Sequence, residues 1–250
     1  MKKTKESDTP KTLETGWKKL KKGDFAHAEK LFSEVWQSDS ENLEALKGYA
    51  GATLRNQKYS KAKELINEYI GMRPQQYEGY HMRALCAGAD EEYEEALKDM
   101  DKAVEMAEDK VELYCDMGGT YLVLQEYNRA AQCFEQAVNI DGKCFEAWMG
   151  KSLVAYFNKE YKAALEFSTI TLKLNPKSLM ALLIKSDVLL ETGKKKEVEK
   201  EVKKILNISP DIFKETGYQE SEEEKDDDYM RDEDANRTED DEIEEFNFDD

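Results

Sequence analysis

The side chains of this chain that could do chemistry are four cysteines, two histidines and a large excess of carboxylates. Cys86, Cys115, Cys133 and Cys144 show no C-x-x-C spacing, and only His27 and His81 could supplement them. A zinc site needs four N or S ligands at close, regular spacings, so no metal is expected. Each cysteine falls inside or beside a helix-periodic segment, where a thiol ordinarily serves as a small buried apolar group. Neither histidine has a distinctive cysteine or serine partner nearby in sequence. Asp and Glu pairs occur at so many spacings that none marks an acid–base couple. There is no Gly-rich phosphate loop and no G-x-S-x-G elbow. The chain therefore reads as a non-enzyme with no cofactor.

What the sequence offers instead is a period. In residues 111–144, Tyr114, Met117, Gly118 and Tyr121 share one helix face, and Tyr127, Ala130, Phe134 and Ala137 share another. Steps of 34 residues give unit starts at Thr9, Leu43, Tyr77, Val111, Phe145 and Leu179. Position 8 of the unit is Gly16, Ala50, Ala84, Gly118, Ser152 and Ser186, small every time. Position 20 is Ala28, Ala62, Ala96, Ala130, Ala164 and Val198. Two antiparallel helices approach closely only where one presents almost no side chain. Pro74, Pro176 and Pro210 share one late position, where a helix must stop. Twelve helices are expected, the first of each later pair beginning near Ser40, Gln75, Asp109, Lys143 and Lys177.

These columns resemble the tetratricopeptide repeat, whose pattern is W-x2-L-G-x2-Y, then A-x3-F, then P, at a period of 34. The resemblance implies an all-α fold, a right-handed superhelical solenoid of six helix-turn-helix repeats over 9–212 (9–42, 43–76, 77–110, 111–144, 145–178 and 179–212). Residues 1–8 read as a polar, Lys-rich extension. Residues 213–250 hold 19 of the 55 acids and 4 of the 37 bases, so most of the net charge of −18 is theirs. That composition predicts a disordered acidic tail. Ile243, Phe246 and Phe248 near its end form a candidate docking motif. No run approaches 18 apolar residues and no apolar stretch follows the first lysines, so neither a membrane span nor a secretory signal is expected. The expected location is the cytoplasm, with the nucleus also open.

In a stack of such repeats the first helices line a concave groove. Chaperone-binding members of the family grip the terminal carboxylate of heat-shock proteins there, with a clamp of Lys, Asn and Arg. Here positions 2 and 6 read Glu44 and Gly48, Glu78 and Met82, Glu112 and Asp116, Glu146 and Gly150, so the clamp is missing. The groove residues suggest an apolar floor with an acidic rail. Met82, Leu85, Leu122, Val123, Met149, Leu153, Phe157, Leu183 and Leu190 supply the floor, and Glu44, Glu78, Glu112 and Glu146 the rail. Gly48, Gly51, Gly119 and Gly150 on this face each cost a helix about 0.8–1 kcal/mol against alanine. A ligand backbone, or a neighbouring helix, would account for them. The expected function is a non-catalytic adaptor or scaffold holding an apolar partner segment with basic flanks. Two alternatives stand: a chaperone-like escort of basic proteins such as histones through the acidic tail, and a regulatory subunit of an enzyme complex. Nucleic acid and membrane are not expected partners.

Overall fold

The computed structural model describes residues 9–209, and within them every regular element is a helix. The extension 1–8, the tail and its Ile243, Phe246 and Phe248 cluster lie outside the described residues. The helices come in consecutive pairs: α1 (Thr9–Lys21) with α2 (Phe25–Ser38), α3 (Leu43–Arg55) with α4 (Tyr59–Met72), and α5 (Tyr77–Ala89) with α6 (Tyr93–Met106). They continue as α7 (Val111–Val123) with α8 (Tyr127–Ile140), α9 (Phe145–Phe157) with α10 (Tyr161–Leu174), and α11 (Leu179–Glu191) with α12 (Lys195–Ile208). The twelve helices match the number expected from the period.

The first helices of the later pairs start two or three residues beyond the expected sites. A tight turn takes up those residues. The N–H groups of Asn42, Cys144 and Ser178 donate to the carbonyls of Asp39, Asp141 and Asn175 at 3.1–3.2 Å. The same three side chains accept from the N–H groups of Glu41, Lys143 and Lys177, so the short polar side chain mimics one more backbone turn. Asn42 then caps α3 and Ser178 caps α11 by accepting from the third residue on.

The turn inside each pair is the same six times. Position 15 is left-handed in all of them: Gly23, Gln57, Glu91, Gln125, Lys159 and Gly193 have φ between 59° and 77°. Two backbone bonds close each turn. In the second pair, Lys58 N–H reaches Thr53 O at 3.1 Å and Gln57 N–H reaches Leu54 O at 2.9 Å. This pairing satisfies carbonyls that the end of a helix leaves open, and it reverses the chain within three residues.

Packing follows the small positions. Gly16 and Gly118 lie under the rings of Phe32 and Phe134, so close that an added Cβ would stand 2.7–2.8 Å from ring carbons. Ala28, Ala62, Ala96, Ala130 and Ala164 are completely buried. The core is a chain of small clusters, from Leu13, Phe32 and Val35 at one end to Ile184 and Val188 at the other. α1 touches α3, α3 touches α5, α7 touches α9 and α9 touches α11, so the odd helices share one face of the stack. Two buried carboxylates brace it. Asp99 receives two bonds from Arg83, at 2.6 and 2.7 Å, and Glu201 lies within 3.2 Å of both Lys185 and Lys204.

Candidate functional site

The face shared by the odd helices carries the groove residues, and the structure divides them by what they touch. Met82 and Leu85 are half-buried against Leu46, Ala50 and Leu54 of the preceding pair. Leu122 packs near Ala130, Phe134 and Val154. Met149 and Leu153 pack against Ala155, Ile184 and Val188. These five residues seal neighbouring repeats as well as facing outward. Phe157 is half exposed, and its ring stacks on Tyr127 at 5.5 Å, at the mouth of an inter-helix turn. The freely presented apolar side chains on these helices are Val123, Phe157, Met180 and Leu190.

The glycines divide the same way. Gly48 and Gly150 leave no room for a ligand backbone. Phe32 fills the space at Gly48, with ring carbons 2.5–2.6 Å from where a Cβ would stand, and Phe134 fills the space at Gly150. Gly119 has nothing within 4 Å of that point, and Gly51 meets only Met82 Sδ at 3.9 Å.

Each glutamate of the rail is engaged by the preceding repeat. Glu44 accepts a hydrogen bond from Trp17 Nε1 at 2.8 Å. Glu78 pairs with Lys47 Nζ at 3.0 Å, while its other oxygen is buried without a partner. The Glu78 carboxyl is opposed by burial, yet its own backbone N–H and Lys47 hold it below the ordinary carboxylate value. Glu112 meets Tyr77 Oη at 3.5 Å, and Glu146 accepts from Cys144 Sγ at 3.4 Å. Of these four, Glu78 forms a salt bridge among the described residues, and the repeated glutamates lend the face a negative edge.

Two concavities lie at the ends of the stack. Near the first pair, a cavity of about 740 Å³ is bordered by Leu13, Trp17, Lys18, Lys21 and Glu44. Two of the lysines around Trp17 are paired: Lys18 with Glu14 at 2.6 Å and Lys19 with Asp24 at 2.8 Å. At the last two pairs, a cavity of about 410 Å³ lies between Leu153, Phe157, Met180, Leu183, Leu190 and Val202. Its charged residue is Asp187, which accepts a hydrogen bond from the Tyr156 hydroxyl and with it pushes that phenol up to about 12. Met180, Tyr156 and Asp187 were not singled out from sequence as binding residues. The signal was available in part, since Met180 breaks the run of glutamates at position 2.

The cysteines differ from the uniform buried role expected. Cys86 and Cys133 are buried, and burial pushes each thiol up to about 11. Cys115 and Cys144 are only half-buried, and their sulfurs lie 3.8 Å apart. Their partnership is invisible in sequence because 29 residues separate them. His81 pairs across repeats too, with Asp116 at 2.7 Å. Among the described residues no cluster of His, Cys, Asp and Glu could hold a metal ion, and no helix is long and apolar enough to cross a membrane.

Comparison with known proteins places this architecture. Sequence profiles described as tetratricopeptide repeat match residues 19–86, 77–110 and 111–144. Anaphase-promoting complex subunit 3 of Schizosaccharomyces pombe is 21% identical over 75% of this chain and 33% of its own length. The chain thus spans about a third of that curated relative. The crystal structure of the APC/C hetero-tetramer Cut9-Hcn1 superposes with a TM-score of 0.75 at 15% identity, over 83% of this chain and 41% of the other. That of YrrB, described as a TPR protein with an unusual peptide-binding site, gives 0.57 at 15% identity, over 73% and 94%. The profile matches, the 34-residue columns and the paired helices agree, and the chain belongs to the tetratricopeptide repeat family.

Proposed function

We propose that the protein is a non-catalytic scaffold that holds an apolar segment of a partner protein against the face of its odd helices. The family fold is a protein-interaction scaffold whose members bind protein or peptide partners. The observation that carries the finer reading is the cavity at α9 and α11, where Phe157, Met180 and Leu190 stay about half exposed beside half-buried Leu153 and Leu183. Apolar side chains left in water at a concave surface are an interaction site far more often than an ornament of the fold. Asp187 lines this surface and Glu146 stands in the first turn of α9, and these negative groups favour a segment with basic residues beside its apolar core. The test is selection from a random peptide library on the full-length protein. Apolar peptides with Lys or Arg flanks should be enriched, and Met180→Lys with Leu190→Lys should release them. Retention of the same peptides by the double variant would refute the site.

The likeness to a subunit of the anaphase-promoting complex supports one form of this reading, in which the partner segment belongs to another subunit of a larger assembly. A native mass in cell extract well above that of one chain is the corresponding expectation. The escort reading rests on the tail, outside the described residues, and nothing in the helical body favours it.

A further inference from the structure

We propose that Cys115 and Cys144 are a modification site: a hydroperoxide converts their two thiols into a disulfide that ties α7 to the start of α9. The inference is independent of the binding role proposed above. It starts from selection among four thiols. Cys86 and Cys133 are buried and have no sulfur partner, whereas Cys115 and Cys144 are half-buried and in contact at 3.8 Å. A disulfide bond is about 2.05 Å long, so the sulfurs need to close by less than 2 Å. Cys144 can make that move because it sits in the turn before α9, as its N-cap residue, and is not locked in a helix.

The same position makes Cys144 the first sulfur to react. It is the N-cap residue of α9, and a helix N-terminus, here the Ala147 backbone, favours a thiolate. Burial and the neighbouring Glu146 work the other way and keep the thiol raised overall. Proximity therefore matters more than acidity. Cys144 Sγ, as thiolate, attacks one oxygen of hydrogen peroxide. The O–O bond breaks, the sulfur becomes a sulfenic acid, and the departing hydroxide takes up the thiol proton as water. Cys115 Sγ then attacks the oxidised sulfur. The S–O bond breaks, the S–S bond forms, and the leaving hydroxide takes up the Cys115 proton as a second water. Two thiols have lost two electrons and two hydrogens, and the peroxide has been reduced.

The bond would tie α7 to the turn that leads into α9, at the junction of repeats four and five. In a solenoid each repeat contacts little beyond its neighbours, so a covalent tie at one junction fixes the shape of the face there.

The experiment treats the full-length, reduced protein with hydrogen peroxide and follows thiols and peptides. Titratable thiols should fall from four to two. Digestion should yield one cross-linked peptide pair, containing Cys115 and Cys144, and dithiothreitol should restore both thiols. Cys86 and Cys133 should react at least about tenfold more slowly, as buried thiols do. The reading is on the natural chain, so no variant has to fold; Cys115→Ser and Cys144→Ser should each abolish the internal link. Three results overturn the proposal: four thiols surviving peroxide that consumes free cysteine, a link through Cys86 or Cys133, or sulfinic acid at Cys144 with Cys115 still a thiol.

Discussion

The ring of Phe134 lies against Gly150, the residue sixteen places further on and in the next repeat. The same ring also covers Gly118 in its own repeat, so one aromatic side chain is clasped between two glycines. Phe32 repeats the arrangement with Gly16 and Gly48. Where the large residue is smaller, the seats change. Ile66 and Met100 stand at the equivalent position, and their own-repeat seats are Ala50 and Ala84.

Opposite effects are therefore expected from one substitution at two helical glycines. Gly150→Ala forces a methyl into the Phe134 ring and should destabilise by about 1–3 kcal/mol, net of the gain in helix propensity. Gly119→Ala meets open space and should stabilise by up to about 1 kcal/mol. Urea unfolding of the two variants checks this. Combining Gly150→Ala with Phe134→Ile should cost less than the sum of the single changes.

The left-handed turns give a second contrast. Gln57, Glu91, Gln125 and Lys159 are exposed and hold φ near 60°, where a Cβ is crowded. Replacing any one with glycine should raise stability by about 0.5–1 kcal/mol, after allowing for the freer unfolded chain. Gly23→Ala should lower it by about 1 kcal/mol, although nothing lies within 4 Å of the new methyl. Melting temperatures shifting in these opposite directions would isolate the backbone effect from packing.

Acid should loosen the last repeat first. Burial raises the Glu201 carboxyl, but Lys204 and Lys185 outweigh it and leave the group below the ordinary carboxylate value. The folded state thus favours the charged form. Its contribution is complete above the unfolded value, about 4.3, and drains away as pH falls through the lower folded value. Glu201→Gln, which strips two ammonium groups of their partner, should cost about 1–2 kcal/mol at pH 7, discounted for the half-exposed Lys204. Unfolding curves of the two proteins should converge as pH drops below about 4.

Binding variants should separate by burial. Met180→Lys and Leu190→Lys alter side chains about half exposed and should change stability by less than about 0.5 kcal/mol. Leu85→Lys and Leu153→Lys drive a charge into inter-repeat packing and should lower the melting point, so loss of binding in those variants would say nothing about the surface. Circular dichroism melts run beside the binding assay make the distinction.

The period made the helix pairs legible, because a small residue every 34 positions has one steric reading. The left-handed turn was half legible: Gly23 and Gly193 announce it, while Gln57, Glu91, Gln125 and Lys159 carry no such signal. The groove was least legible. Whether Leu85 or Leu153 faces solvent depends on how closely a neighbouring repeat packs on it, the second for Leu85 and the sixth for Leu153. The pairings Lys47 with Glu78, His81 with Asp116 and Cys115 with Cys144 join residues 29–35 apart, a separation that only the stacked geometry turns into contact.

The clasped phenylalanines also write an order into the chain. A unit ending in Phe134 accepts after it only a unit that brings a glycine to the seat, as Gly150 does; the unit carrying Met82 there would collide with the ring. Conversely, Gly150 placed beyond Ile66 would leave part of its seat empty. The six units look alike as a series of columns, yet they are not interchangeable cassettes. Shuffling or deleting whole repeats is therefore expected to succeed only where ring and seat still meet, and a chain shortened by removing 145–178 would set Ile184 against Phe134.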